Sequence, residues 1–252
     1  MPRFYLSPEH SQTSVLTLTG REAHHAVHVL RLALGERVMV LNGAGQELRC
    51  EVLSVGRDTV QLAVRERNHL PPLPCQITLL QAIPKAKLIE DIIEKAVELG
   101  VHRIVPLFTE RVVMQLNATS AEAKAAKWRL TAIEAIKQSG NPWLPQIDTP
   151  LTPQAFLAQR PAFDVALIGS LQEDRRHPRE PIEDFLREHQ RPPCSVAIWI
   201  GPEGDFTPAE VALARSSGAH PISLGRLVLR CETAAAYCLS VLNYELQSPA
   251  NG

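Results

Sequence analysis

The sequence predicts a small β domain followed by a larger α/β domain with a mainly parallel sheet, and three observations predict it. His69-Leu70-Pro71-Pro72-Leu73-Pro74 places three prolines where neither helix nor sheet continues, so the chain divides there. Before that break lie short alternating segments separated by turn residues. After it, buried-looking strands alternate with amphipathic helices, the pattern of a parallel sheet covered on both faces.

In the first part, residues 38–41 lead into the turn Asn42-Gly43-Ala44-Gly45, and residues 48–53 follow. Gly56-Arg57-Asp58 then connects to residues 59–64. Strands at this spacing fit a small β-barrel. One helical piece, residues 22–32, carries His24, His25, His28 and Arg31. In the second part, residues 77–82 read as a buried strand and 87–100 as a helix. Leu88, Ile89, Ile92, Ala96 and Val97 share one face of it, and Gly100 suits its C-terminal stop. Further strands are expected at 104–107, 163–168, 196–200 and 221–224, with helices at 121–139, 153–159, 208–217 and 232–246.

Composition excludes several classes. No stretch approaches the roughly 18 consecutive apolar residues of a membrane span, and Met1-Pro2-Arg3-Phe4-Tyr5-Leu6 lacks the pattern of a signal peptide. Cys50, Cys75, Cys194, Cys231 and Cys238 are odd in number and none are spaced C-x-x-C, which argues against a disulfide framework and a zinc site and for reduced cytoplasmic thiols. The adjacent His24 and His25 lack a third ligand at convincing spacing, so no metal is expected. A formal net charge of -1 leaves any nucleic-acid contact to a local patch.

Two segments carry chemistry. Ala197-Ile198-Trp199-Ile200-Gly201-Pro202-Glu203-Gly204-Asp205-Phe206 is a strand entering a glycine turn, and Thr207-Pro208-Ala209-Glu210 is a capping box with proline at the first helical position. Glu203 and Asp205 either answer the helix dipole or disfavour a phosphate, and neither G-x-x-x-x-G-K-[ST] nor G-x-G-x-x-G is present. A neutral or cationic ligand fits better, S-adenosylmethionine among them. About twenty residues on, Leu224-Gly225-Arg226-Leu227-Val228-Leu229-Arg230-Cys231-Glu232-Thr233-Ala234 is a second strand-loop-helix. Its apolar loop is suited to a flat ring, and its Arg230 and Glu232 equally fit an ordinary pair at a helix N-terminus. Two such loops at the ends of parallel strands make a ligand site more specific than either alone.

Ile200-Gly201-Pro202-Glu203-Gly204 with Phe206, then Leu224-Gly225 and Leu229-Arg230-x-Glu232-Thr233-Ala234, resemble the C-terminal motifs of the RsmE family. These are SPOUT-superfamily methyltransferases acting on 16S rRNA. The resemblance extends to Pro84-Lys85, Glu98-Leu99-Gly100-Val101, Glu110-Arg111, Gln138-Ser139-Gly140, Arg3-Phe4 and His24-His25-x-x-x-Val29-Leu30-Arg31, nearly the whole chain. It implies an α/β protein with a PUA-like, RNA-binding β-barrel over 1–70. A SPOUT domain over 75–247 follows, with a C-terminal trefoil knot, binding the cofactor and dimerising. It further implies S-adenosylmethionine bound by Gly169, Ile200, Gly201, Pro202, Glu203, Gly204, Leu224, Gly225, Leu227, Leu229, Thr233 and Ala234.

The implied reaction is methyl transfer to N3 of a uridine in 16S rRNA, within an assembled 30S subunit, by a cytoplasmic homodimer. Arg230 is placed to face the uracil oxygens. Glu232 either orients Arg230, accepts the N3 proton, or only caps its helix. Arg3, His24, His25, Arg31, Lys85 and Lys87 are the expected grips on the RNA backbone. Three departures stand out: Asp205 replaces a second glycine, Leu227 replaces a frequent arginine with Arg226 one residue earlier, and Lys137-Gln138-Ser139-Gly140-Asn141 replaces Glu-Gln-Ser-Gly-Arg. A non-catalytic RNA-binding factor and a nicotinamide oxidoreductase are the competing classes. The intact loops argue against the first and the missing glycine fingerprint against the second.

Overall fold

A computed structural model describes residues 1–85, 88–111, 118–172 and 174–247. They form two units, one of residues 1–72 with 133–144 and one made of the described residues within 73–132 and 145–247.

The first unit is built on a five-stranded sheet of β1 (Arg3–Tyr5), β2 (Val15–Leu18), β3 (Arg37–Leu41), β4 (Gln46–Val55) and β5 (Val60–His69), in the order β1-β3-β4-β5-β2. Every strand contributes to one core: Phe4, Leu16, Leu18, Val38, Val40, Leu48, Cys50, Val52, Val60 and Leu62. Side chains from both edges meet in that core only if the sheet curls. Register shifts between β4 and β5 at Arg49/Cys50 and Val52/Ser54 supply the bend. β1 and β2 stand at opposite edges, so the expected barrel is a curled, open sheet. The expected helix over 22–32 is α1 (Gly20–His24) running into a wider π turn (His25–Val29).

Lys137, one of the departures in sequence, has a structural reason here. Its side chain is only 6% exposed, and its ammonium lies 2.9 Å from Glu22 Oε1 and 3.1 Å from Glu134 Oε2. Glu22 in turn accepts a hydrogen bond from the Tyr5 backbone N–H at 3.2 Å. Beside it, Arg3 donates to the carbonyl oxygens of Lys137 (3.0 Å) and Gln138 (2.8 Å), answering the final carbonyls of a helix.

The second unit is an entirely parallel six-stranded sheet in the order β11-β9-β10-β6-β7-β8. In chain order come β6 (Gln76–Ala82), α2 (Leu88–Glu98), β7 (Arg103–Leu107), α3 (Ala118–Ser139, its last turns belonging to the first unit), β8 (Gln146–Ile147) and α4 (Pro153–Ala158). Then follow β9 (Val165–Gly169), α5 (Arg179–His189), β10 (Ser195–Ile200), α6 (Pro208–Ser216), β11 (Ala219–Ile222) and α7 (Cys231–Leu246). β6 and β10 are buried almost throughout, as strands covered on both faces must be. On one face Leu80, Ala82, Ile168, Ala197 and Trp199 pack with Phe156, Phe206, Val211 and Ala214. On the other, Leu167 and Ile198 lie beside Cys238 and Leu242 of α7.

β1, β2, β8 and α5 are not among the elements expected from the sequence. Strands of two to four residues carry too little periodicity to register. α5 begins among prolines, and its Pro181 sits in the first turn, where no intrahelical N–H is required.

Removing the Lys137 ammonium leaves the largely buried Glu22 carboxylate without its cation, whereas Glu134 is partly exposed and still lies 3.6 Å from Arg21. Lys137→Ala is expected to lower the unfolding free energy by about 3 kcal/mol, and Lys137→Met combined with Glu22→Gln by much less. Denaturant unfolding checks both.

Candidate functional site

In open parallel sheets, ligands settle at the carboxyl ends of the strands. In the second unit, the ends of the adjacent strands β11, β9 and β10 surround a cleft of about 570 Å³, part of it open to solvent. Gly169 at the end of β9 and Ser170, Leu171 and Arg175 in the loop after it line the cleft, as do Ile200 at the end of β10 and Gly201, Pro202, Glu203 and Asp205 in the turn after it. Leu224, Gly225, Leu227, Val228 and Leu229 complete it from the segment leading into α7, with Cys231 and Ala234 from the first turn of α7.

The turn after β10 folds tightly on itself. A Cβ at Gly201 would sit 3.1 Å from both Asp205 Oδ1 and Phe206 N, closer than ordinary contacts, so a side chain there would push the turn open. Phe206 anchors the far end. It is buried against Trp199, the rings 6.4 Å apart. Asp205 occupies the left-handed region at φ 62°, a conformation that glycine takes freely and aspartate tolerates better than most residues. Gly225, across the cleft at φ 110°, lies where only glycine is comfortable.

Each carboxylate around this turn accepts at least one backbone N–H. Glu203 Oε1 accepts from the backbone N–H of Lys85, 2.8 Å away in the loop after β6. Asp205 Oδ1 accepts from Phe206 N (2.8 Å) and Oδ2 from Leu171 N (3.0 Å), in the loop after β9. Glu210, buried, completes the predicted capping box with Thr207 through Oε2 and receives Glu110 N at 2.9 Å through Oε1, from the segment after β7. Arg111 donates to the carbonyl of Gly204. Thus the turn and the helix it enters are tied to three neighbouring loops.

Of the twelve residues expected to hold a cofactor, ten line the cleft. Gly204 and Thr233 do not: Gly204 faces Arg111, and Thr233 is exposed on α7. Arg230 is the N-cap of α7 and, among the described residues, its guanidinium makes no hydrogen bond. Glu232 is half-buried two residues on and accepts a hydrogen bond from Cys231 Sγ at 3.4 Å. No ion pair joins Arg230 to Glu232. Burial, then the Glu232 and Glu203 carboxylates, push the Cys231 thiol up to about 12, so it lines the cleft as a neutral group. Ser170, Leu171, Arg175, Asp205, Val228 and Cys231 line the cleft without having been among the residues expected to hold the cofactor; Ser170, Leu171 and Arg175 follow Gly169 with no motif of their own, and the others lie within the two loops.

Among the RNA-gripping candidates, His24 and Arg31 are exposed, His25 is half-buried, and Arg3 is engaged with helix carbonyls. Lys85 is exposed, and Lys87 lies outside the described residues. Among the described residues, no cluster of three or more His, Cys, Asp or Glu could hold a metal, and no helix is long and apolar enough to cross a membrane.

Residues 71–243 match the model of an RNA methyltransferase domain and residues 18–65 that of an RNA methyltransferase PUA domain. Fold and cleft thus define an RNA-methylating enzyme class, a parallel α/β domain joined to a PUA domain. A curated ribosomal RNA small subunit methyltransferase E from Synechocystis is 32% identical, over 98% of this chain and 78% of that protein. The Bacillus subtilis protein of the same name is 29% identical over 98% of both chains. Among solved structures, a Legionella pneumophila methyltransferase in complex with S-adenosylmethionine superposes with a TM-score of 0.86. It is 31% identical, over 96% of this chain and 97% of that one. The Neisseria gonorrhoeae methyltransferase E bound to S-adenosylmethionine gives 0.83, at 25% identity over 97% and 98%. This chain belongs to the RsmE family of ribosomal RNA small subunit methyltransferases.

The Asp205 clamp yields a stability contrast. Asp205→Ala removes both accepted N–H bonds and keeps the left-handed backbone, and is expected to destabilise by about 2 kcal/mol. Asp205→Gly loses the same bonds but relieves the backbone, and should recover about 1 kcal/mol of that. Amide exchange at Leu171 should accelerate in both. Equal stability of the two variants would contradict the backbone argument.

Proposed function

We propose that this protein is an S-adenosylmethionine-dependent methyltransferase that methylates N3 of a uridine in 16S rRNA of the small ribosomal subunit, working in the cytoplasm. One observation carries the reading: the cleft formed by loops 200–205 and 224–231 has an apolar wall, two carboxylates and no phosphate cradle. Those features fit a phosphate-free adenosine bearing a positive sulfonium, and relatives sharing the whole fold were solved with that molecule. Leu224, Leu227 and Leu229 supply apolar surface for a ring, and Glu203 and Asp205 supply negative charge. When bound, the cofactor supplies an electrophilic methyl group.

The protein's own task is the nucleophile. Uracil N3 carries a proton at neutral pH, so that proton must leave as the N–C bond forms and charge spreads to O2 and O4. Arg230, with a guanidinium free of protein hydrogen bonds among the described residues, is suited to those oxygens. Glu232 is not paired with Arg230, which favours it as the proton acceptor over an orienting role. The base must be unpaired or flipped to arrive there. Residues 1–70 supply the RNA-binding surface through His24, His25 and Arg31, with Lys85 and Lys87 further along the chain, and 75–247 the cofactor site.

The same reading includes a trefoil knot in the C-terminal part, and a homodimer acting on assembled 30S particles. Support for the dimer is the exposed apolar surface of the second unit: Leu227 is 79% exposed and Val228 75%, with Tyr237 and Tyr244 outside on α7. Light scattering on the purified protein measures the dimer directly.

Labelled S-adenosylmethionine offered with naked 16S rRNA and with 30S particles should place label on uridine N3, preferentially in the particles. Label on cytosine, guanine or protein would refute the assignment. Glu232→Gln should lower the rate by about 10²-fold or more at neutral pH, and its residual rate should climb with pH as hydroxide takes over. A variant matching the parent at every pH removes Glu232 as base.

A further inference from the structure

Among the described residues, the cleft has three charged side chains in its lining, and two of them are already engaged. Asp205 has both oxygens on backbone N–H groups, and Glu203 has one. The third is Arg175, in the loop after β9. Its Nη1 makes one long bond, 3.3 Å, to the carbonyl oxygen of Ser170. Among the described residues it has no carboxylate partner, whereas nearby arginines do: Arg176 pairs with Glu180 and Asp184, and Arg215 with Asp174. A guanidinium with unused donors at the edge of an otherwise acidic and apolar cleft calls for an anion on the ligand. The ligand class already inferred carries one, the carboxylate of its amino-acid end.

We infer that Arg175 is the receptor for the carboxylate of the cofactor's amino-acid moiety, which fixes the direction in which the cofactor lies. This rests on the reading of the cleft as an S-adenosylmethionine site. The amino-acid end lies along Ser170, Leu171 and Arg175, and the adenosine end along the apolar segment through Leu227 and Leu229. The single carboxylate meets Arg175, the one cationic side chain among the described lining residues, and the sulfonium remains on the side of Glu203 and Asp205. Arg175 takes no part in the chemistry; it is a binding and positioning residue. An arginine rather than a lysine suits the role, because its planar fork matches a carboxylate with two parallel bonds.

The test is calorimetric titration of the full-length protein and of Arg175→Ala and Arg175→Lys. The ligands are S-adenosylmethionine, its decarboxylated analogue, which keeps sulfonium and amine, and 5′-methylthioadenosine, which lacks the whole amino-acid chain. The parent protein should bind S-adenosylmethionine about 10-fold more tightly than the decarboxylated analogue, the scale of a charge-assisted hydrogen bond. Arg175→Ala should abolish that preference by weakening S-adenosylmethionine alone, with Arg175→Lys in between, and the effect should shrink as salt is raised. Equal affinity of the parent for both sulfonium ligands overturns the assignment. So does an equal loss of both in Arg175→Ala, which would mean that the arginine only supports the loop. A parent protein that binds none of the three ligands overturns the cleft reading itself, and a parent that binds 5′-methylthioadenosine without the carboxylate preference overturns only the role of Arg175.

Discussion

Backbone N–H groups at the carboxyl ends of parallel strands must find acceptors, and here side-chain carboxylates of one turn and its helix provide them. Glu203 receives the loop after β6, Asp205 the loop after β9 and Glu210 the segment after β7. Loops at strand ends are ordinarily the least constrained part of an α/β fold. Charge-assisted bonds to backbone are among the stronger ones available, so three of them hold several loops in register around one cleft. The geometry of the cleft follows from that arrangement more than from any single lining residue.

The same carboxylates set the chemistry of the cleft. They brace loops, and they also leave negative charge beside a space walled by Leu224, Leu227 and Leu229. A nucleotide phosphate would meet repulsion there, whereas a sulfonium would not. Cys231, which faces the cleft between Arg230 and Glu232, adds no competing nucleophile, because burial and the neighbouring acids keep its thiol protonated. In the first unit the analogous device is the Lys137 ammonium between Glu22 and Glu134, which binds the end of α3 to α1, the helix that carries the exposed His24.

Much of this was legible in the sequence where local rules act. The capping box at Thr207 and Glu210 was readable from four residues, and the helix at 208–217 followed. The alternation of strands and helices gave the parallel sheet, and the ordered motifs gave ten of the lining residues. What could not be read was long-range. Nothing at Glu210 announces a second acceptor role toward Glu110, one hundred positions away. Asp205 looked like a departure from a glycine pattern, and only the fold shows it keeping the glycine conformation while adding a clamp. Arg3 and Lys137 look like surface cations in one dimension, yet one holds helix carbonyls and the other is nearly buried. Arg175 stands in a charged stretch with no pattern, and its place in the lining is a product of topology alone.

The central claim is that an acid-braced cleft at the ends of β9, β10 and β11 takes a phosphate-free, cationic nucleoside. Calorimetric competition on the purified protein tests it most directly, with S-adenosylmethionine set against ATP and NAD under identical salt. The account predicts saturable binding of S-adenosylmethionine that neither phosphate-bearing nucleotide displaces. Tight binding of ATP or NAD, with S-adenosylmethionine unable to compete, would contradict it.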